Sequence, residues 1–293
     1  MRLSFLVVGA QKSGTTALYH YLRTHPELFL PPQKELEFFS RDEFYEKGVD
    51  WYLCKHFARA RASQVAGEVS PQYMFEPGKT AARIRWAFPD IKLVMVLRNP
   101  IDRAFSHYRM AVRRFGESRS FDAAIADALN GAGSRDVRQD YLRLGEYGRA
   151  LHEYLVHFPL NVIKIVFTEE LKLCPRRVMS SIFTFLDVPP HESMVFGRRY
   201  HVGGSQRFPG LDKCLRRHPV LTRTARLVLS ETVYNRLWFW FTTELNVRGR
   251  PPEVNHESRK RLQEFFSEDV AKLKRVSGLS VPWVDFEVAS RQP

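Results

Sequence analysis

Apolar positions along this chain fall into short unbroken runs that alternate with stretches where they recur every three or four residues. Leu3 to Val8 is such a run and reads as a buried strand. Polar, glycine-bounded residues follow, and Ala17-Leu18-Tyr19-His20-Tyr21-Leu22 then reads as a helix stopped at Pro26. Leu28 to Pro32 is a short extended piece, and Phe44 to Phe57 reads as a helix broken near Gly48. A second strand starts at Val65 and ends at Pro71, before a helix over Lys79 to Phe88. Ile91 to Leu97 is a strong strand rich in β-branched residues, and the next helix has Pro100 near its first turn. Phe121 to Leu129 is predicted helical with Ser120 as N-cap, Gly131 to Ser134 a loop, and Val137 to Phe158 mainly helical. A strand at Val162 to Phe167 and a helix at Pro175 to Leu186 complete the alternation.

This order predicts an α/β fold with a mostly parallel sheet, whose ligands sit at the carboxyl ends of the strands. Lys12, Glu68 with Ser70, and Arg98 all lie at or just past such an end, so the pattern predicts one site. From Leu211 to Leu245 the chain is apolar and aromatic around Trp238-Phe239-Trp240-Phe241 and is expected to form a helical subdomain over the sheet. Ser258 to Val276 is a last amphipathic helix with Leu262, Phe265, Phe266, Val270 and Leu273 on one stripe. Residues 1–293 are expected to be one domain, with a nucleotide-binding core to about residue 210 and a helical part over 211–293 packed on it.

The residues between the first strand and first helix, Gly9-Ala10-Gln11-Lys12-Ser13-Gly14-Thr15-Thr16, form a strand–loop–helix junction. Loop N–H groups and the helix dipole both favour an anion at such a place. The spacing Gly9-x4-Gly14 is that of a Walker A loop, but Thr15 stands where that loop has its lysine, and the lysine is Lys12 inside the loop. The strand Ile91 to Leu97 ends in Arg98, where a metal-holding aspartate would be needed. A site built from Lys and Arg suits a phosphorylated nucleotide held without metal.

Composition narrows this only a little. The chain is 44% hydrophobic, enough for one large core, and its formal charge of +13 favours anionic partners. The basic residues are dispersed as short clusters such as Arg113-Arg114 and Arg176-Arg177, read as solvated surface, so no nucleic-acid arm is indicated. Cys54, Cys174 and Cys214 form no Cys-x-x-Cys pair, which supports neither a disulfide framework nor a zinc site. No apolar run approaches a membrane span and only Met1-Arg2 precedes the first strand, so a cytoplasmic protein is expected.

The loop at Gly9–Thr16 resembles the 5′-phosphosulfate loop of sulfotransferases that use 3′-phosphoadenosine 5′-phosphosulfate (PAPS). Arg98-Asn99-Pro100 through Ser106 resembles their 3′-phosphate motif, and Lys34-Glu35-Leu36-Glu37-Phe38-Phe39 is similar to a segment of the heparan sulfate sulfotransferase branch. The likeness covers roughly residues 3 to 210 and returns in the last helix. It implies a three-layer α/β/α, P-loop NTPase-like fold with a helical C-terminal elaboration. It also implies PAPS as sulfuryl donor, 3′-phosphoadenosine 5′-phosphate (PAP) as product, and no metal. In such a site Lys12 would neutralise the leaving phosphate, while Gln11, Ser13, Gly14, Thr15 and Thr16 hold the 5′-phosphate. Arg98 and Ser106 would grip the 3′-phosphate, and Gly204, Ser205 and Arg207 would close over the nucleotide.

Glu35 is the candidate general base, and burial beside Phe38 and Phe39 is expected to raise its pKa; an ordinary carboxylate paired with Lys34 is the competing reading. Glu37, Phe38, Glu68, Ser70, Tyr73 and Tyr147 are candidates for the acceptor side. Glu37 stands where this branch often has His, and Val69 where a lysine is common, which argues against an anionic glycan and leaves small-molecule, lipid or simple carbohydrate acceptors. A non-catalytic nucleotide- or nucleic-acid-binding protein is the alternative, but it gives no reason for the joint placement of Lys12, Arg98 and Ser106.

Overall fold

Five parallel strands carry the site: β1 (Leu3–Gly9), β2 (Leu28–Phe29), β3 (Val65–Val69), β4 (Lys92–Leu97) and β5 (Ile163–Phe167), in the spatial order β2-β3-β1-β4-β5. The computed structural model describes residues 3–132, 136, 138–191, 194, 196, 205–206, 247–248 and 254–287. β1, β3 and β4 are buried along almost their whole length, as expected of parallel strands covered by helices on both faces. The chain leaves β1 for the β2 edge, returns through β3, and crosses β1 to reach β4 and β5. The carboxyl ends of β1, β3 and β4 therefore flank the point where strand order reverses, the ligand position in open α/β sheets.

The helices are α1 (Thr15–Arg23), α2 (Asp42–Tyr45), α3 (Val49–Phe57), α4 (Pro77–Ala87), α5 (Pro100–Arg114), α6 (Phe121–Asp127), α7 (Tyr147–Leu155), α8 (Thr168–Leu173), α9 (Pro175–Phe185) and α10 (His256–Ser277). The expected break at Gly48 separates α2 from α3, and Ser120 caps α6 by accepting from Ala123 N. Two details depart from the sequence pattern. The long helix expected from Val137 is a bent turn and a shorter α7, because the Asp140 carboxylate takes the N–H groups of Leu142 and Arg143 (3.2 and 2.9 Å) and turns the chain. The short α8, directly after β5, has no separate apolar rhythm and was missed.

The C-terminal helix belongs to the sheet unit. Met1–Phe196 and Val254–Pro293 form one compact unit, and Gly197–Glu253 a second. α10 packs on α7, where Gly148 is needed: a Cβ there would lie 2.2 Å from Asp269 O. The Asp269 carboxylate accepts from Gly148 N (2.8 Å) and Arg149 N (2.7 Å) and so caps α7 from another helix. In the second unit β6 (Ser205–Gln206) pairs antiparallel with β7 (Val247–Arg248). The segment from Leu211 to Leu245 lies outside the described residues, and no described helix is long and apolar enough to cross a membrane.

Candidate active site

The loop after β1 is tied to β4 and β5. Ala10 N donates to Val96 O at 2.7 Å, and the Thr168 hydroxyl lies 2.6 Å from Ser13 O and 2.9 Å from Leu97 O. Gly14 has φ 88°, a left-handed value that a side chain would strain, and it starts α1 without a capping side chain. The first-turn N–H groups of α1 are left unclaimed by any cap, as a phosphate cradle requires. Thr15 is buried and Thr16 half-buried at this turn.

Three elements bring cations to the loop. Lys12, with φ 69°, sets Nζ 3.9 Å from Met110 Sδ on α5. Arg98, one residue past β4, donates from Nη1 to Lys12 O at 3.4 Å. Burial, followed by the charges of Arg113, Arg114 and Arg98, pushes the Lys12 pKa from 10.5 to about 7, opposed by Glu35. Arg113 and Arg114 are exposed, as a solvated pair should be, yet they act on the loop lysine. The signal for this was in the spacing, since Ser106, Met110 and Arg113 or Arg114 recur at three to four residues along α5 and share a face. Ser106 is half-buried on that helix.

The carboxylate side is built on β3. Glu35 N donates to Val69 O (3.1 Å), Glu37 N to Ser70 Oγ (3.2 Å) and Phe39 N to the Tyr73 hydroxyl (3.4 Å). Beneath them lies a buried knot: the Glu68 carboxylate accepts from the hydroxyls of Tyr52, Ser70 and Tyr73, the last at 3.0 Å. Burial raises the Glu68 pKa against the pull of these hydrogen bonds. Glu35 itself is ion-paired with Lys34 and accepts from Gln72 Nε2 at 3.3 Å. The rise in its pKa expected from burial is outweighed by the Lys34 charge and hydrogen bond, by Gln72 and by Arg114, and the net direction is down. The apolar neighbours invoked for that rise are turned inward: Phe38 is buried and stacks on Tyr52 at 4.3 Å.

Of the other predicted residues, Glu68, Ser70 and Tyr73 are wholly buried supports of the Glu35 loop. Tyr147 is buried beside Ser13 and the Arg98 backbone, under the phosphate loop, with its pKa pushed up to about 12 by burial. Gly204 and Arg207 lie outside the described residues, and Ser205 is described only as part of β6. A cavity of about 640 Å³ opens next to both halves of the site, lined in part by Gln11, Glu37, Gln72 and Phe75.

Sequence reasoning missed the buttress behind Arg98. Asn99 Oδ1 caps α5 by accepting from Ile101 N (3.0 Å), while its Nδ2 donates to Asp285 Oδ2 (2.6 Å) and its N–H to Glu169 Oε1 (3.1 Å). Trp283 Nε1 reaches the other Glu169 oxygen at 3.3 Å, and Arg259 on α10 bridges Asp102 and Asp285. Only Asn-Pro at a strand end hinted at a fixed junction; its partners lie 70 to 186 residues away.

A glycine-bounded loop at the switch point of a parallel sheet, with Lys12 and Arg98 beside it, is an arrangement that could hold an anion. The chain belongs to the sulfotransferase family: residues 3–196 match its sulfotransferase domain. It is 29% identical over 279 residues to human heparan sulfate glucosamine 3-O-sulfotransferase 6, covering 95% of this chain and 72% of that one. It is 33% identical over 198 residues to the bifunctional heparan sulfate N-deacetylase/N-sulfotransferase 1 of Caenorhabditis briggsae, covering 63% of this chain and 22% of that one. The crystal structure of a sulfotransferase from Alicyclobacillus acidocaldarius superposes with a TM-score of 0.68 at 26% identity, covering 96% and 98% of the two chains. The expected P-loop-like α/β fold is the fold observed.

Proposed function

We propose that the chain transfers the sulfuryl group of PAPS to a hydroxyl or amine of a small-molecule, lipid or carbohydrate acceptor. The observation that carries this reading is that the loop after β1 brings Lys12 and Arg98 together beside an uncapped helix N-terminus, with Arg98 Nη1 donating to Lys12 O at 3.4 Å. The donor supplies an electrophilic sulfur bonded to a phosphate oxygen. The α1 N-terminus with Gln11 to Thr16 holds the 5′-phosphate, and Arg98 and Ser106 hold the 3′-phosphate. Glu35, kept ionised by Lys34, takes the acceptor proton as the acceptor atom bonds to sulfur and the sulfur–oxygen bond to the 5′-phosphate breaks. Lys12 neutralises the charge that grows on that oxygen, the role a metal plays in Walker-type sites. Glu68, Ser70 and Tyr73 position Glu35, and Tyr147 supports the loop from below.

Thermal shift separates this from other nucleotide chemistry: PAP is expected to stabilise the protein strongly, and stabilisation by ATP–Mg²⁺ alone would overturn the reading. With labelled PAPS and an accepted acceptor, Glu35→Gln is expected to lower kcat by about 10² to 10⁴ with PAP binding intact. Undiminished turnover would remove Glu35 from the role of base.

A further inference from the structure

Behind Arg98 and Ser106 lies a cation that reaches neither solvent nor an acid. Arg103, in the first turns of α5, follows Arg98 by five residues and precedes Ser106 by three, and it is fully buried. Its Nη2 donates to Tyr141 O, and its Nη1 lies 3.5 Å from Nδ1 of the buried His107. Nε has no hydrogen-bond partner among the described residues. It faces Gly145, where an added Cβ would stand 3.4 Å away.

The acids of the neighbourhood are committed elsewhere. Asp102 pairs with Arg259 (2.8 Å), and Glu169 accepts from Asn99 N and Trp283 Nε1. Asp140 takes the N–H groups of Leu142 and Arg143. Among the described residues Arg103 is therefore held by a carbonyl and an imidazole, not by a carboxylate. Burial first, and Arg98 after it, pull its pKa down against Tyr147 and Asp140, yet a guanidinium stays charged under such a pull. A buried charge without a counter-charge destabilises the fold that contains it. A ligand can bring the missing charge, and in an interior without water the attraction is weakly screened.

We infer that Arg103 is a buried counter-charge for the 3′-phosphate of the nucleotide, and that it makes the site select nucleotides carrying that group without touching them. The inference rests on the reading of Arg98 and Ser106 as the grip on the 3′-phosphate. Arg103 is a positioning residue: its bond to Tyr141 O fixes the helix that carries Ser106, and its charge acts on the phosphate from behind that helix.

The test compares the full chain's affinity for PAP with that for adenosine 5′-monophosphate (AMP), which lacks the 3′-phosphate, by calorimetric titration. Arg103→Met is expected to weaken PAP binding about tenfold and to leave AMP binding within about threefold. A purely structural role would weaken both ligands together, so an unchanged AMP-to-PAP ratio of dissociation constants overturns the inference. His107→Glu asks the same question with the arginine in place. It sets a carboxylate one helical turn from Arg103, and is expected to raise the Tm of the unliganded protein and to narrow the ratio. His107→Gln, the neutral control, is expected to leave the ratio as it is. Equal ratios in these two variants overturn the inference even where Arg103→Met does not fold. The unmodified chain tests the underlying reading by itself: no preference for PAP over AMP would sink the 3′-phosphate grip, whatever Arg103 does.

Discussion

At the scale of single residues, Lys12 is the group whose state changes most with its surroundings. A pKa of about 7 means that the ammonium, crowded by Arg98, Arg113 and Arg114, is only half charged near neutrality. A bound polyphosphate anion reverses that balance and raises the pKa, so PAP binding is expected to take up protons around and above pH 7. Calorimetry in buffers of different ionisation heat measures the uptake, and Lys12→Arg, always charged, is expected to abolish it. Zero uptake in the unmodified chain at pH 7.5 would contradict this account. The linkage for the unbound fold has a definite sign. Between about pH 7 and 10.5 the unfolded chain holds a proton on Lys12 that the folded chain has released, so stability from this group rises with pH across that window. Glu35 has the opposite origin: Lys34 depresses it, and its stabilising pair is lost as pH falls through the lowered value. The two charges that the sequence places in the site were legible. Their mutual effect was not, because it depends on distances through space.

At the scale of elements, the segment Lys34–Phe39 is the least regular part of the site and the most dependent on support. Glu35 and Glu37 both hold left-handed φ values, 63° and 57°, which β3 and the turn after it must stabilise. The Glu68 knot supplies that support from below. Glu68→Ala would strand the hydroxyls of Tyr52, Ser70 and Tyr73, each worth about 1–3 kcal/mol when left buried and unpaired. The expected result is a fall in Tm of several degrees together with a lower kcat, and Glu68→Gln should recover most of the stability. A variant with unchanged Tm would show that the knot does not hold the loop. Strands and helices were legible here from apolar runs and proline stops, and the placement of Glu68 at a strand end was visible too. Its buried partners Tyr52 and Tyr73 come together with it only through space, and no local pattern showed them.

At the scale of the molecule, the C-terminal segment completes a site whose reacting residues all lie in the first third of the chain. Asp285 and Glu169 hold Asn99, and Asn99 fixes where β4 ends and α5 begins, which aims Arg98 and Ser106. Asp285→Ala is expected to cost about 1–2 kcal/mol of stability and to weaken PAP binding several-fold without touching the nucleotide. Titration with PAP checks it: an unaltered affinity would mean that Arg98 is positioned without this support. The charge of +13 also acts over this range, and association with an anionic ligand is expected to slow as salt is added.

By itself the sequence determined the alternation of strand and helix, the glycine-bounded loop after β1 and the cation after β4, because each is encoded in a short stretch by periodicity, a glycine or a strand end. Tertiary structure decided what depends on residues distant along the chain. It lowered Glu35 instead of raising it, drew Arg113 and Arg114 into the field of Lys12, buried Phe38 and Tyr147, and tied Asn99 to Asp285. Electrostatic coupling and burial depend on separation and solvent exclusion in three dimensions, and no local pattern of residue types carries either quantity.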